Sequence, residues 1–133
     1  MNIGNLHFLT IHFPIALFIG AAAGQILWSM VSTRPRKDLD RCVQWMVWAG
    51  TAGAVVSAGL GYLLVWNETL TANLTRHRNF GTAAAIAAVL FCGLMQTKLE
   101  YSVKLWGLIG LAALTSLAAH YGGVSVHGGP LGR

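Results

Sequence analysis

Long apolar stretches alternate with short polar windows along the 133 residues of this chain. The charged side chains fall in three windows, Arg34 to Arg41, Glu68 to Arg78 and Lys98 to Lys104, plus Arg133; between them lie charge-free runs of 33, 26, 19 and 28 residues. A bilayer span takes about 20 apolar residues, so each run is of spanning length. The pattern predicts four transmembrane helices, from about Phe8 to Val31, Val43 to Val65, Asn79 to Gln96 and Leu105 to Tyr121. None of the runs shows the alternation of apolar and polar residues that marks a membrane β-strand. The expected fold is therefore all-α, a four-transmembrane-helix bundle forming one integral membrane domain over residues 1–133. Trp28, Trp45, Trp48, Trp66 and Trp106 sit near the expected span ends, where an indole settles at headgroup level.

Composition sharpens this reading. Hydrophobic residues make up 55% of the chain and charged residues 10%, where a soluble domain carries about a quarter charged. Soluble globular and disordered classes are both excluded. The net charge of +5 reports topology rather than nucleic-acid binding. Arg34, Arg36, Lys37, Arg41, Lys98 and Lys104 lie in the first and third connections, and only Arg76, Arg78 and Arg133 lie on the other side. The positive-inside rule then places both termini on the periplasmic side of a bacterial inner membrane, with the basic first connection against anionic lipid. Cys42 and Cys92 fall towards the cytoplasmic half and read as small apolar residues.

On this topology all five histidines gather towards one face of the membrane. His7 and His12 open the first helix, His77 opens the third, and His120 and His127 close and follow the fourth. At 1.5 Å of rise per residue His12 lies about 7.5 Å deeper than His7, within an apolar run where a polar group needs a partner. Pro14, just beyond it, removes a backbone donor near the start of the helix. His7 and His127 lie at or beyond span ends, where an imidazole can stay hydrated.

Small side chains recur inward from three of these histidines: Ala16, Gly20 and Gly24 below His12; Gly81, Ala84, Ala85 and Ala88 below His77; Ser116, Ala113 and Ala112 before His120. Such stripes serve close helix packing in lipid. A flat ligand between helices, held by histidine, accounts for both the stripes and the imidazoles that end them, and haem b fits that description. Arg76 and Arg78 flank His77 at the aqueous edge, where guanidinium groups suit the propionates. Copper or zinc is the alternative, with His12, His77 and His120 as metal ligands. Catalysis by the chain alone is poorly supported: Glu68 is the one outer acid, and no nucleophile motif or phosphate loop occurs. Transport is also weakly supported, since no span carries a mid-membrane charge.

Several separated elements resemble a bacterial membrane family known as domain of unknown function 2231. They are Leu6-His7 followed by Ile11-His12-Phe13-Pro14-Ile15-Ala16-Leu17, then His77-Arg78 with Gly81, then His120-Tyr121-Gly122-Gly123 with His127-Gly128. Phe8 replaces the family's proline after the first histidine. The resemblance implies a membrane anchor or haem-carrying partner of periplasmic redox proteins such as a cytochrome c. It also implies His12, His77 and His120 as the leading ligand candidates, with His7 and His127 behind them. The expected function is thus a haem b-binding electron-transfer subunit of an inner-membrane redox complex, working between quinol and a periplasmic partner. The alternative is a non-catalytic anchor or assembly subunit, or a copper- or zinc-binding membrane protein.

Overall fold

The structure is a computed structural model that describes the backbone of residues 3–31, 33–67 and 69–127, and the side chains of 7, 9–31, 36–67 and 69–125. These residues fold into four α-helices and no strand: α1 (Ile3–Met30), α2 (Thr33–Leu64), α3 (Ala72–Leu94) and α4 (Tyr101–His127). The helices alternate in direction. The start of α1 lies beside the end of α2, where His7 meets Ser57, and the start of α3 lies beside the end of α4, where His77 meets Ala118. Each helix packs on two neighbours, α1 on α2 and α4, and α3 on the same two. Among the described residues no backbone approach joins α1 to α3 or α2 to α4. The result is a square up-and-down bundle with two open diagonals.

The helices outrun the expected spans. α2 begins at Thr33, ten residues before Val43, so the basic segment through Arg41 is helical rather than looped. Arg, Lys and Asp are tolerable in a helix, and Pro35 sits in the first turn, where its missing N–H has no intrahelical role. α4 likewise runs on to His127. Leu9–Met30, Arg36–Leu64 and Tyr101–Ser125 are long and apolar enough to cross a membrane, and His7 lies just outside the first of these. α3 is more polar, because Asn73, Arg76, His77, Arg78 and Asn79 occupy its first two turns. Thr71 caps it, accepting from the Leu74 amide at 3.3 Å.

A bundle needs close axes where side chains are small. The core is formed by Phe18, Val43, Val47, Ala88, Phe91, Leu108 and Leu111. Two aromatic rings lie directly on glycines of the adjacent helix. A β-carbon on Gly50 of α2 would stand 2.8 Å from Phe18 of α1, and one on Gly107 of α4 would collide with Phe91 of α3. Pro14 lies inside α1, not at its start, and is accommodated by Gly53 of α2, whose β-carbon would come within 3.3 Å of the proline ring. Outside, large apolar side chains including Phe13, Met30, Trp45, Leu90 and Trp106 are exposed on all four helices. That surface suits lipid and not water.

At the end away from His7, polar residues tie three helices together. The Trp28 indole N–H donates to Asp40 at 3.2 Å, and Lys104 approaches the same carboxylate at 3.8 Å. Trp28 also stacks on Tyr101 at 5.6 Å, with the Arg36 guanidinium 4.7 Å from its ring centre.

Candidate functional site

At the His7 end the four helices diverge around a cavity of about 450 Å³. α1 contributes His7, Ile11, His12 and Pro14; α2 contributes Ser57, Gly61 and Tyr62; α3 contributes His77, Arg78, Gly81 and Thr82; α4 contributes Thr115, Ala118 and Gly122. Its walls are mainly apolar, and its volume falls in the range of small-molecule and cofactor sites, about 300–1,000 Å³.

Two imidazoles reach each other here across an open diagonal of the bundle. The ring centres of His7 and His77 are 5.8 Å apart, with planes nearly perpendicular at 82°. Each ring is held by the helix beside it. His7 Nδ1–H donates to the Ser57 carbonyl at 3.0 Å, and His77 Nδ1–H donates to the Ala118 carbonyl at 2.7 Å. Burial pushes the His7 pKa below its ordinary value, and the adjacent His77 pushes it further; the bond to Ser57 opposes them. The balance favours a neutral ring at His7.

The remaining polar groups are placed with purpose. Among the described residues Arg78 is the only Lys, Arg, Asp or Glu on the cavity wall. Thr82 donates to the Arg78 carbonyl at 2.8 Å, which leaves its oxygen to accept from the Tyr62 hydroxyl at 3.0 Å. That pair closes the seam between α2 and α3. Ser57 is among the lining residues, but its hydroxyl oxygen is wholly buried and has no hydrogen-bond partner, whereas Thr115 bonds back to the Leu111 carbonyl at 2.8 Å. A buried hydroxyl without a partner costs about 1–3 kcal/mol.

The candidates named from sequence therefore divide. His7, His12, His77, Arg78 and Gly81 line one cavity, although His12 is exposed at its margin. His120 and Arg76 lie elsewhere, on the outer seam between α3 and α4. There Tyr121 stacks on Phe80 with ring centres 5.5 Å apart and planes 3° from parallel. The His120 ring lies against Tyr121 at 5.5 Å, and the Arg76 guanidinium lies 5.7 Å from the same ring centre. The His127 side chain lies outside the described residues. His12, His77 and His120 do not form a common donor set: among the described residues no group of three His, Cys, Asp or Glu side chains is placed to hold a metal ion. Ser57, Gly61, Tyr62 and Thr82 were not singled out by sequence. The one local signal for them is a glycine four residues after Ser57, matched by Gly122 four residues after Ala118.

Fold and site together define a four-helix bundle, three of whose helices are long and apolar enough to cross a membrane, with a paired-histidine cavity at one end. No protein family, curated protein sequence or solved structure matches the chain.

Proposed function

We propose that this chain is a haem b-binding electron-transfer subunit of a bacterial inner-membrane redox complex, in which His7 and His77 would hold the iron. The observation that supports it is the pairing of two imidazoles from α1 and α3, 5.8 Å apart, in a cavity with apolar walls. A metal ion bound by two imidazole nitrogens at about 2 Å each puts the ring centres about 6 Å apart if the nitrogens lie opposite one another. Donor number then separates the cofactors. A bare zinc ion takes three or four protein ligands, and the described residues offer no such group. A haem brings four nitrogens of its own and asks the protein for one or two.

Haem b supplies one-electron exchange at its iron. The chain's own residues do the rest. His7 and His77 bind, and the carbonyls of Ser57 and Ala118 orient them. Arg78 offers a guanidinium to a propionate, and the apolar wall from Ile11, Pro14 and Ala118 excludes water. By the positive-inside rule this end of the bundle faces the periplasm, where a soluble partner such as a cytochrome c exchanges electrons, with quinol as the donor on the membrane side.

The test is the visible spectrum of the purified protein, oxidised and then reduced with dithionite. A sharp reduced band of low-spin haem b is expected. A colourless protein with no extractable porphyrin refutes the reading in favour of an anchor or assembly role, and elemental analysis of the same sample tests copper and zinc.

A further inference from the structure

The arrangement around His7 is repeated around His77 on the other helical hairpin. In each, an imidazole leaves the start of one helix, crosses to the end of the next, and donates from Nδ1 to a carbonyl whose helix carries glycine four residues later: Ser57 with Gly61, and Ala118 with Gly122. Four residues is the spacing that matters. In an α-helix the side chain at i+4 sits over the carbonyl of residue i, and serines and threonines bond back to it from there. A side chain at that position covers the free side of the carbonyl; glycine leaves it open. A β-carbon on Gly61 would come within 3.1 Å of His7 Cε1, and one on Gly122 within 2.9 Å of both Cε1 and Nδ1 of His77. The neighbouring Gly59 and Gly123 face nothing within 4 Å. Helix flexibility or general close packing does not single out one glycine of each pair; access to the carbonyl does.

We propose that Gly61 and Gly122 are positioning residues, which open the Ser57 and Ala118 carbonyls to imidazole and thereby lock His7 and His77 as Nδ1–H tautomers with Nε2 kept as the ligating nitrogen. A carbonyl oxygen only accepts, so the nitrogen bonded to it carries the proton and the other nitrogen of a neutral ring carries the lone pair. The same bond raises the basicity of a ligating imidazole. It measures 2.7 Å at His77 and 3.0 Å at His7. The ligand role of the locked rings rests on the haem reading; the tautomer lock itself does not.

The experiment uses the full-length protein in detergent, labelled with ¹⁵N-histidine, at a pH well above the ordinary imidazole pKa. The His7 and His77 rings are expected as Nδ1–H tautomers in the wild type. Gly61→Ala should release His7 towards the Nε2–H form, and Gly122→Ala should release His77, while Gly59→Ala and Gly123→Ala move neither. In haem-loaded protein Gly122→Ala should also raise the reduction potential, because weaker donation from His77 stabilises ferric iron less. Wild-type His7 and His77 found as Nε2–H tautomers overturn the proposal, a result that needs no variant to fold. So do alanine variants that leave tautomers and potential unchanged. A colourless wild type with both rings locked overturns the haem reading alone and supports the lock.

Discussion

The contact between Phe18 and Gly50, about three helical turns in from His7, gives a prediction whose sign changes with context. Phe18 is wholly buried, and a β-carbon on Gly50 would stand 2.8, 3.1 and 3.2 Å from three of its ring carbons. In the wild type, Gly50→Ala gains at most about 1 kcal/mol from backbone entropy and loses about 1–3 kcal/mol to overpacking. The expected net effect is a destabilisation of about 1–2 kcal/mol. Phe18→Ala removes the ring and leaves a cavity, at a cost of about 3 kcal/mol or somewhat less, because surrounding lipid is as apolar as the core and the transfer component shrinks. In that background the alanine methyl enters empty space, and Gly50→Ala should become neutral or stabilising. The coupling across the cycle is then about 2 kcal/mol in favour of the double variant, at the upper part of the range for residues in direct contact. Thermal melting or SDS titration of the four proteins in one detergent measures it. Equal effects of Gly50→Ala in both backgrounds, within about 0.5 kcal/mol, would refute the idea that Phe18 against Gly50 fixes the spacing of α1 and α2, and with it the reach of His7 to Ser57.

Other outcomes follow from the same geometry. His7→Ala and His77→Ala should each abolish bound haem, whereas His120→Ala should retain it; Arg78→Gln should lower haem affinity by about tenfold or more, as expected for a lost charge-assisted bond, and Arg76→Gln should leave it unchanged. Pyridine haemochrome assay and haem titration decide both. In the haem-free protein burial holds the folded-state pKa of His7 below the ordinary 6.5, so the unfolded chain binds a proton first as pH falls. The stabilisation is therefore present above pH 6.5 and lost as pH drops through the depressed folded value. Melting curves of wild type and His7→Gln should converge in acid; parallel profiles would contradict it. For orientation, a cysteine introduced at Thr71 should react with an impermeant thiol reagent from outside, and one at Ser102 should not.

The number of helices was legible because charge is confined to so few windows, and apolar runs between them leave little choice of structure. Helix ends were not. The α2 segment from Thr33 to Cys42 is rich in charge yet continues the helix, since charged side chains do not remove the backbone hydrogen bonds that hold a helix. The histidines were legible as a group and not as a pair. Sequence gives depth along a helix, and depth favoured His12, which is more deeply placed than His7. Contact is decided by rotation about the axis: five residues turn the helix by about 140° beyond a full turn, so His7 faces Gly61 of α2 while His12 stays at the exposed margin. His120 is displaced for a similar reason, its ring lying with Tyr121 on the outer seam. Which direction is inward depends on the neighbouring helices, and a stripe of small residues does not reveal it.

The square cross-section leaves α1 and α3 without backbone approach, yet their side chains meet at His7 and His77. In mechanical terms the imidazole pair is a cross-brace between two hairpins that otherwise touch along their sides. A cofactor seated between those rings would set the brace length, and with it the splay of α1 from α3 at that end. Oxidation state or occupancy would then be felt on the outside of the bundle as a change of shape, within reach of any subunit packed there.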